Sequence, residues 1–141
     1  MPLNDQQRAF VEQTRSAAMI TLKPNGTPAA VRCGVALVDG KLWSSGTQDR
    51  VRTRHLRRDP RSTLILFDAG YSYLTIESRV SILEGPDVAE LSVRLFRVMQ
   101  RRPSGPLSWF GGEKSEEEFV RTMEEERRLI YEFEPLRAYG G

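Results

Sequence analysis

The sequence predicts an α+β domain, mainly β: a six-stranded antiparallel barrel, closed or nearly closed, with peripheral helices. Three observations lead there. Short apolar runs follow one another with Asn-Gly, Asp-Gly and Asp-Ala-Gly turns between them. One long run alternates apolar and polar residues with the period of a half-exposed strand. The order is helix, three strands, short basic helix, two strands, two helices and one strand, with most strands joined by tight turns, which suggests an antiparallel barrel with the helices at its periphery. The 141 residues suit one core and one domain spanning the chain.

Asn4 or Asp5 caps a first helix that runs to about Arg15, with Phe10, Val11 and Thr14 on one side, placed across one end of the barrel. Residues 17–22, 29–38 and 41–45, separated by Pro24-Asn25-Gly26 and Asp39-Gly40, read as a three-strand antiparallel meander. A helix over 50–58 must stop near Asp59, because Pro60 disfavours helical geometry in the residue before it. A buried strand follows at 63–67. In the next strand Leu74, Ile76, Val80 and Ile82 share one face, and Thr75, Glu77, Arg79 and Ser81 the other.

Asp87 with Glu90 reads as a capping pair that opens a helix striped with Val88, Leu91, Leu95, Val98 and Met99. Residues 103–112 form a loop rich in Pro, Gly and Ser that carries Trp109 and Phe110, whose expected place is a dimer interface. Ser115 with Glu118 is a second capping box, starting a helix to about Glu126. Residues 129–133 read as the last strand, ending before Pro135.

Composition narrows the chemistry. No apolar run approaches the roughly 18 residues of a membrane span, and the polar N-terminal stretch does not resemble a secretory signal, so a cytoplasmic protein is expected. One cysteine, Cys33, and one histidine, His55, leave no disulfide and no ordinary zinc spacing. Cys33 lies in an apolar stretch and reads as a buried structural thiol. His55 reads as packed or hydrogen-bonded in place. The net charge of +2 is small, yet six arginines stand between Arg50 and Arg61 against the single acid Asp59. Aromatic residues do not interleave with that patch as a nucleic-acid platform requires, and no nucleic-acid partner is expected.

Chemistry concentrates where Ser44-Ser45-Gly46-Thr47-Gln48 runs into Arg50-Val51-Arg52-Thr53-Arg54. A strand end rich in hydroxyls, followed by a helix N-terminus, supplies donors and a favourable dipole for an anion. Arginines add forked, charge-assisted hydrogen bonds. At about 100° per residue Arg52 falls between Val51 and Leu56 on the inward side of that helix with His55, while Arg50, Arg54, Arg57 and Arg58 fan around the other side. An inward arginine needs an anionic partner, and two are open: an internal carboxylate or a bound phosphate.

The run Lys41-Leu42-Trp43-Ser44-Ser45-Gly46-Thr47, the stretch from Arg50 through Leu56-Arg57-Arg58-Asp59-Pro60-Arg61, and Tyr71-Ser72-Tyr73 with the strand to Gly85 resemble the pyridoxamine 5'-phosphate oxidase-like split-barrel proteins, in their actinobacterial deazaflavin-dependent branch. The resemblance extends back to the 17–40 segment and thins after Gly85. It implies a homodimer with two cofactor sites at the subunit interface, each taking coenzyme F420 or, alternatively, FMN. By the same resemblance the phosphate is held by Ser45, Thr47, Arg50 and Arg52, the ring passes beside Ala30, Val31 and Arg32, and Tyr71 approaches from the neighbouring region. Arg52 stands where the deazaflavin branch has a lysine, a change that keeps the charge but alters the donor geometry. The implied reaction passes a hydride between cofactor and a small organic substrate, with the protein supplying orientation, charge and exclusion of water. A flavin oxidase of the same fold and a non-catalytic flavin- or haem-binding module are the alternatives.

Overall fold

The computed structural model of the protein describes residues 2–140. Seven strands make one antiparallel sheet in the order β2-β1-β5-β6-β9-β4-β3. They are β1 (Ser16–Leu22), β2 (Pro28–Gly34), β3 (Ala36–Val38), β4 (Lys41–Thr47), β5 (Arg61–Phe67), β6 (Tyr73–Leu83) and β9 (Arg128–Tyr139). A separate hairpin pairs β7 (Leu107–Trp109) with β8 (Gly112–Lys114). Helices α1 (Asp5–Thr14), α2 (Val51–Arg58), α3 (Val88–Gln100) and α4 (Glu116–Glu125) lie around the sheet. No described helix is long and apolar enough to cross a membrane.

Connectivity forces the sheet to roll. β2 and β3 occupy its two edges, yet Val35 alone separates them in the chain. The edges must therefore meet, and the result is an antiparallel barrel split along the β2/β3 seam. Across the seam the Ser44 hydroxyl donates to the Gly34 carbonyl at 2.6 Å, and the Val35 N–H donates to the Arg15 carbonyl at 3.0 Å.

The expected meander is accordingly replaced by two hairpins, β1–β2 and β3–β4, at opposite ends of the sheet. The run 29–38 is not one strand because its pairing partner changes at Val35, from β1 to β4, while its alternation continues. Cys33 and Val35 both enter the barrel, while Ala36 and Val38 pack outside it against Trp43, Leu95 and Ile130.

Inside the roll, Met19, Leu42, Leu64, Leu66, Leu74, Ile76, Leu129, Tyr131 and Phe133 fill the core. Cross-strand partners confirm the period-two reading of β6: Leu74 lies opposite Leu66, Ile76 opposite Leu64 and Val80 opposite Phe133. Outside, α3 lays Leu95 and its partly buried neighbours Val88, Leu91 and Met99 on β3, β4 and β9. Its other face, with Ala89 and Val93, packs on Phe119 and Met123 of α4. Burial on two sides displaces the expected single stripe, and Val98 is left exposed.

α1 follows its expected course, with a reciprocal capping box between Asn4 and Gln7. The Ser115/Glu118 box also forms. Asp87 does not cap α3 with its side chain, because its own backbone is already helical (φ −90°, ψ −8°) and points the carboxylate away from the free N–H groups. The expected loop over 103–112 contains most of the β7–β8 hairpin. The last strand continues through Pro135, which sits at a bulge: Ser78 faces Pro135, Glu77 faces Arg137, and Leu136 is the extra residue. The β4 ladder ends at Phe133, so a residue without an N–H is tolerated there. The divided 29–38 run and the hairpin together raise the strand number from the expected six to nine.

Segment 84–127, which carries α3, β7, β8 and α4, is an excursion between two strands, β6 and β9, that are immediate neighbours in the sheet.

Gly46 faces inward opposite Leu129, and a Cβ built there would overlap the Tyr131 ring. Gly46→Ala is expected to lower stability by about 1–3 kcal/mol in urea unfolding, as overpacking does. An unchanged midpoint would mean that Tyr131 yields without cost.

Candidate functional site

Alternation along β4 divides its hydroxyls. Ser44 turns inward, 1% exposed, while Ser45 and Thr47 turn outward opposite Ile130 and Arg128 of β9. After a short turn the chain enters α2, with Arg50 as an N-cap in extended geometry that makes no side-chain cap bond. Thr53 fastens this helix. Its hydroxyl donates to the Thr47 carbonyl at 2.7 Å and accepts from the Tyr131 hydroxyl in a short buried hydrogen bond.

The buried face of α2 is Thr53, His55 and Leu56, whereas Val51 is exposed, contrary to the helical-wheel expectation. His55 Nδ1 shares a 2.9 Å hydrogen bond with the Thr21 hydroxyl. Burial first, then Arg58, Arg54 and Lys23, holds its pKa below the ordinary 6.5, so the ring is neutral at pH 7. It is packed in place, as expected. Cys33 is likewise buried, and burial raises its thiol pKa despite the Ser44 hydroxyl and the Arg52 charge.

Arg52 reaches over the mouth of the barrel. Nη2 donates to the Ser45 carbonyl at 3.3 Å, and the guanidinium carbon lies 5.6 Å from the Tyr131 ring centroid. Its Nε is buried with no hydrogen-bond partner, and so is the Ser45 hydroxyl oxygen. No carboxylate pairs with Arg52 among the described residues, which disposes of the internal salt bridge. Native structures rarely bury polar atoms unmet, each costing about 1–3 kcal/mol. Of the three such atoms among the described residues Ser92 Oγ lies on α3, while those of Ser45 and Arg52 belong to residues in contact and point to an external acceptor that enters when the Arg52 side chain shifts. Both can donate. Arg50, half a turn away, has its pKa lowered by partial burial and by the charges of Arg52 and Arg128. An anion relieves that crowding, and a phosphate, which presents only acceptors, fits the donor set.

Much of the remaining basic patch is neutralised internally. Arg57 makes a forked pair with Glu84 at 2.8 and 2.9 Å, and Arg61 pairs with Asp59, whose carboxyl it holds down to about 2. Arg54 and Arg58 bond backbone carbonyls, of Asp49 and Leu22, and have no carboxylate partner among the described residues.

Ala30, Val31 and Arg32 are exposed along the β2 edge, where Arg32 Nε donates to the Ser16 hydroxyl at 3.0 Å. With Ala18, Phe67 and Ala69 they line an open cavity of about 590 Å³ that Ser45, Thr47, Arg50 and Arg52 do not line. Tyr71 is fully exposed on a turn pinned by Asp68, which accepts from the N–H groups of Gly70 and Ser72. Within one chain, then, the phosphate-type donors cluster, while the β2 residues and Tyr71 lie apart from them.

Sequence reasoning missed Arg128, Glu126 and Tyr131 near this site. Only the β4–β9 register reveals them. Trp109 also proves to be packed within its own chain, its ring 5.2 Å from Phe96 and 5.3 Å from Phe119, edge-on to both.

Residues 3–125 match the family model described as pyridoxamine 5'-phosphate oxidase. The chain belongs to that family. Among solved structures, similarity within this family fold extends to the conserved hypothetical protein Rv2991 of Mycobacterium tuberculosis, at 23% identity and TM-score 0.76 over 98% of this chain and 84% of that one. An F420 reductase matches at 19% identity and TM-score 0.69 over 97% and 98%. The haem-storage protein HutZ of Vibrio cholerae matches at 14% identity and TM-score 0.68 over 99% and 94%. At these identities the likeness shows the fold. No curated protein matches the chain significantly.

Arg52→Ala is expected to weaken binding of a phosphate-bearing cofactor roughly ten- to a hundredfold, the worth of one charge-assisted hydrogen-bonding group. The melting temperature of the free protein should change little. A sharp fall in melting temperature with unchanged affinity would make the arginine structural.

Proposed function

We propose that this chain is a cytoplasmic oxidoreductase domain that binds coenzyme F420 by its phosphate and serves hydride transfer with a small organic substrate. The observation that carries the reading is the pair of unmet buried donors, Ser45 Oγ and Arg52 Nε, where β4 leads into α2. Thr47 and Arg50 complete the phosphate cradle. Ala30, Val31 and Arg32 provide the edge along which the ring lies, and Tyr71 belongs to the surface that meets it. The bound deazaflavin supplies the hydride chemistry. The protein binds, orients and shields, and the product's proton comes from solvent, consistent with a lone histidine that is buried and engaged by Thr21.

F420 is favoured over FMN by charge. Arg54 and Arg58, on the outward face of α2 and without a carboxylate partner among the described residues, suit a polyanionic tail that extends past the cradle, and membership of the actinobacterial F420 branch is part of the same proposal. The F420 reductase among the fold relatives supports the reading. Fluorescence titration in physiological salt should give tighter binding of F420 than of FMN. Equal or stronger FMN affinity would reverse the assignment toward the flavin oxidase.

The functional unit in this proposal is a homodimer with the cofactor sites at its interface. Val31, Phe67, Tyr71 and Tyr73, all exposed and apolar or aromatic, cluster by sequence and pairing around β2, β5 and the β5–β6 turn. Light scattering at micromolar concentration should give twice the chain mass of 16.1 kDa. A monomer mass would refute the interface.

A further inference from the structure

Arg128 opens β9 directly opposite Thr47, so its side chain leaves the sheet on the outer face that also carries Ser45 and Thr47. It is the one arginine that is buried among the described residues, at 9% exposure. Such a charge requires compensation, and Glu126 provides it: Oε1 lies 2.9 Å from Arg128 Nε and 2.8 Å from Nη2. The indole of Trp109 closes the arrangement. Its ring centroid is 5.0 Å from the guanidinium carbon, and its N–H donates to the second carboxylate oxygen of Glu126 at 3.1 Å. The guanidinium is thus clamped along one edge by a carboxylate and stacked on an indole. Its Nη1 has no protein partner among the described residues.

Arg50 and Arg52 lie close by, and Arg128 adds to the repulsion that Arg50 experiences. Of these three guanidiniums Arg128 alone is ion-paired among the described residues, to Glu126.

We propose that Arg128 is the third guanidinium of the anion site, held by Glu126 and Trp109 so that its free edge takes an oxygen of the same phosphate group that Ser45 and Arg52 bind. Its burial and its fixed plane distinguish it from Arg50, an exposed and uncapped neighbour. This rests on the reading of the Ser45–Arg52 cradle as a phosphate site. The same cradle accepts a free phosphate ion, which supplies a probe independent of cofactor identity.

The test is calorimetric titration of the full chain with inorganic phosphate at low salt, comparing wild type, Arg52→Met and Arg128→Met. Both variants should bind about tenfold or more weakly. Loss of affinity in Arg52→Met with none in Arg128→Met would overturn the assignment of Arg128 and leave the cradle standing. Absence of phosphate binding by wild type would overturn the cradle itself. Should Arg128→Met fail to fold, Arg128→Lys takes its place, since it keeps a cation and an aliphatic stem but loses the forked donors. A threefold or greater loss in that variant supports the proposal, and unchanged affinity refutes it.

Discussion

The placement of two chain-adjacent strands at opposite edges of one sheet governs this molecule. With Val35 the sole residue between β2 and β3, the sheet cannot lie flat. Rolling it brings the Ser44 hydroxyl to the Gly34 carbonyl and delivers a sealed interior, in which Tyr131 and Phe133 are almost wholly buried. It also sets β4 beside β9 over the span from Leu42 to Thr47, and this pairing supplies both halves of the anion site. Ser45 and Thr47 come from one strand, Arg128 from the other.

A second constraint acts within that pairing. Gly46 carries no side chain, so the Tyr131 ring can pass against the β4 backbone and extend its hydroxyl to Thr53. Thr53 in turn holds the Thr47 carbonyl. The start of α2 is thereby fixed to the strand end by a tyrosine whose body belongs to the core, and the donors of Ser45 and Arg52 are held in place before any ligand arrives. Such preorganisation lowers the ordering cost of binding.

Much of this was legible in the sequence. Turn chemistry and period-two alternation located β1, β4, β5 and β6, an N-cap located α1, and the Ser115/Glu118 capping box located α4. The Ser45-to-Arg52 segment stood out because hydroxyls, glycine and arginines met at a strand-to-helix junction. What was hidden is long-range. Nothing local in residues 29–38 announces that the run changes its pairing partner at Val35, since the alternation continues unbroken and the change follows from the roll. Nothing in the sequence around Arg128 singles it out, and only its register with Thr47 distinguishes it. Val51 satisfied the helical wheel yet lies in solvent, because the barrel offers α2 a narrow contact that Thr53, His55 and Leu56 already fill.

The excursion between β6 and β9 bears on how such a domain can diversify. These two strands pair along most of their length, so a tight turn would satisfy the sheet as well as the whole of 84–127 does. Topologically the α3–hairpin–α4 unit is a cassette. Exchanging it would leave the strand order untouched and alter the wall that Trp109 presents to Arg128, which makes this segment the natural locus for new specificities on an unchanged barrel.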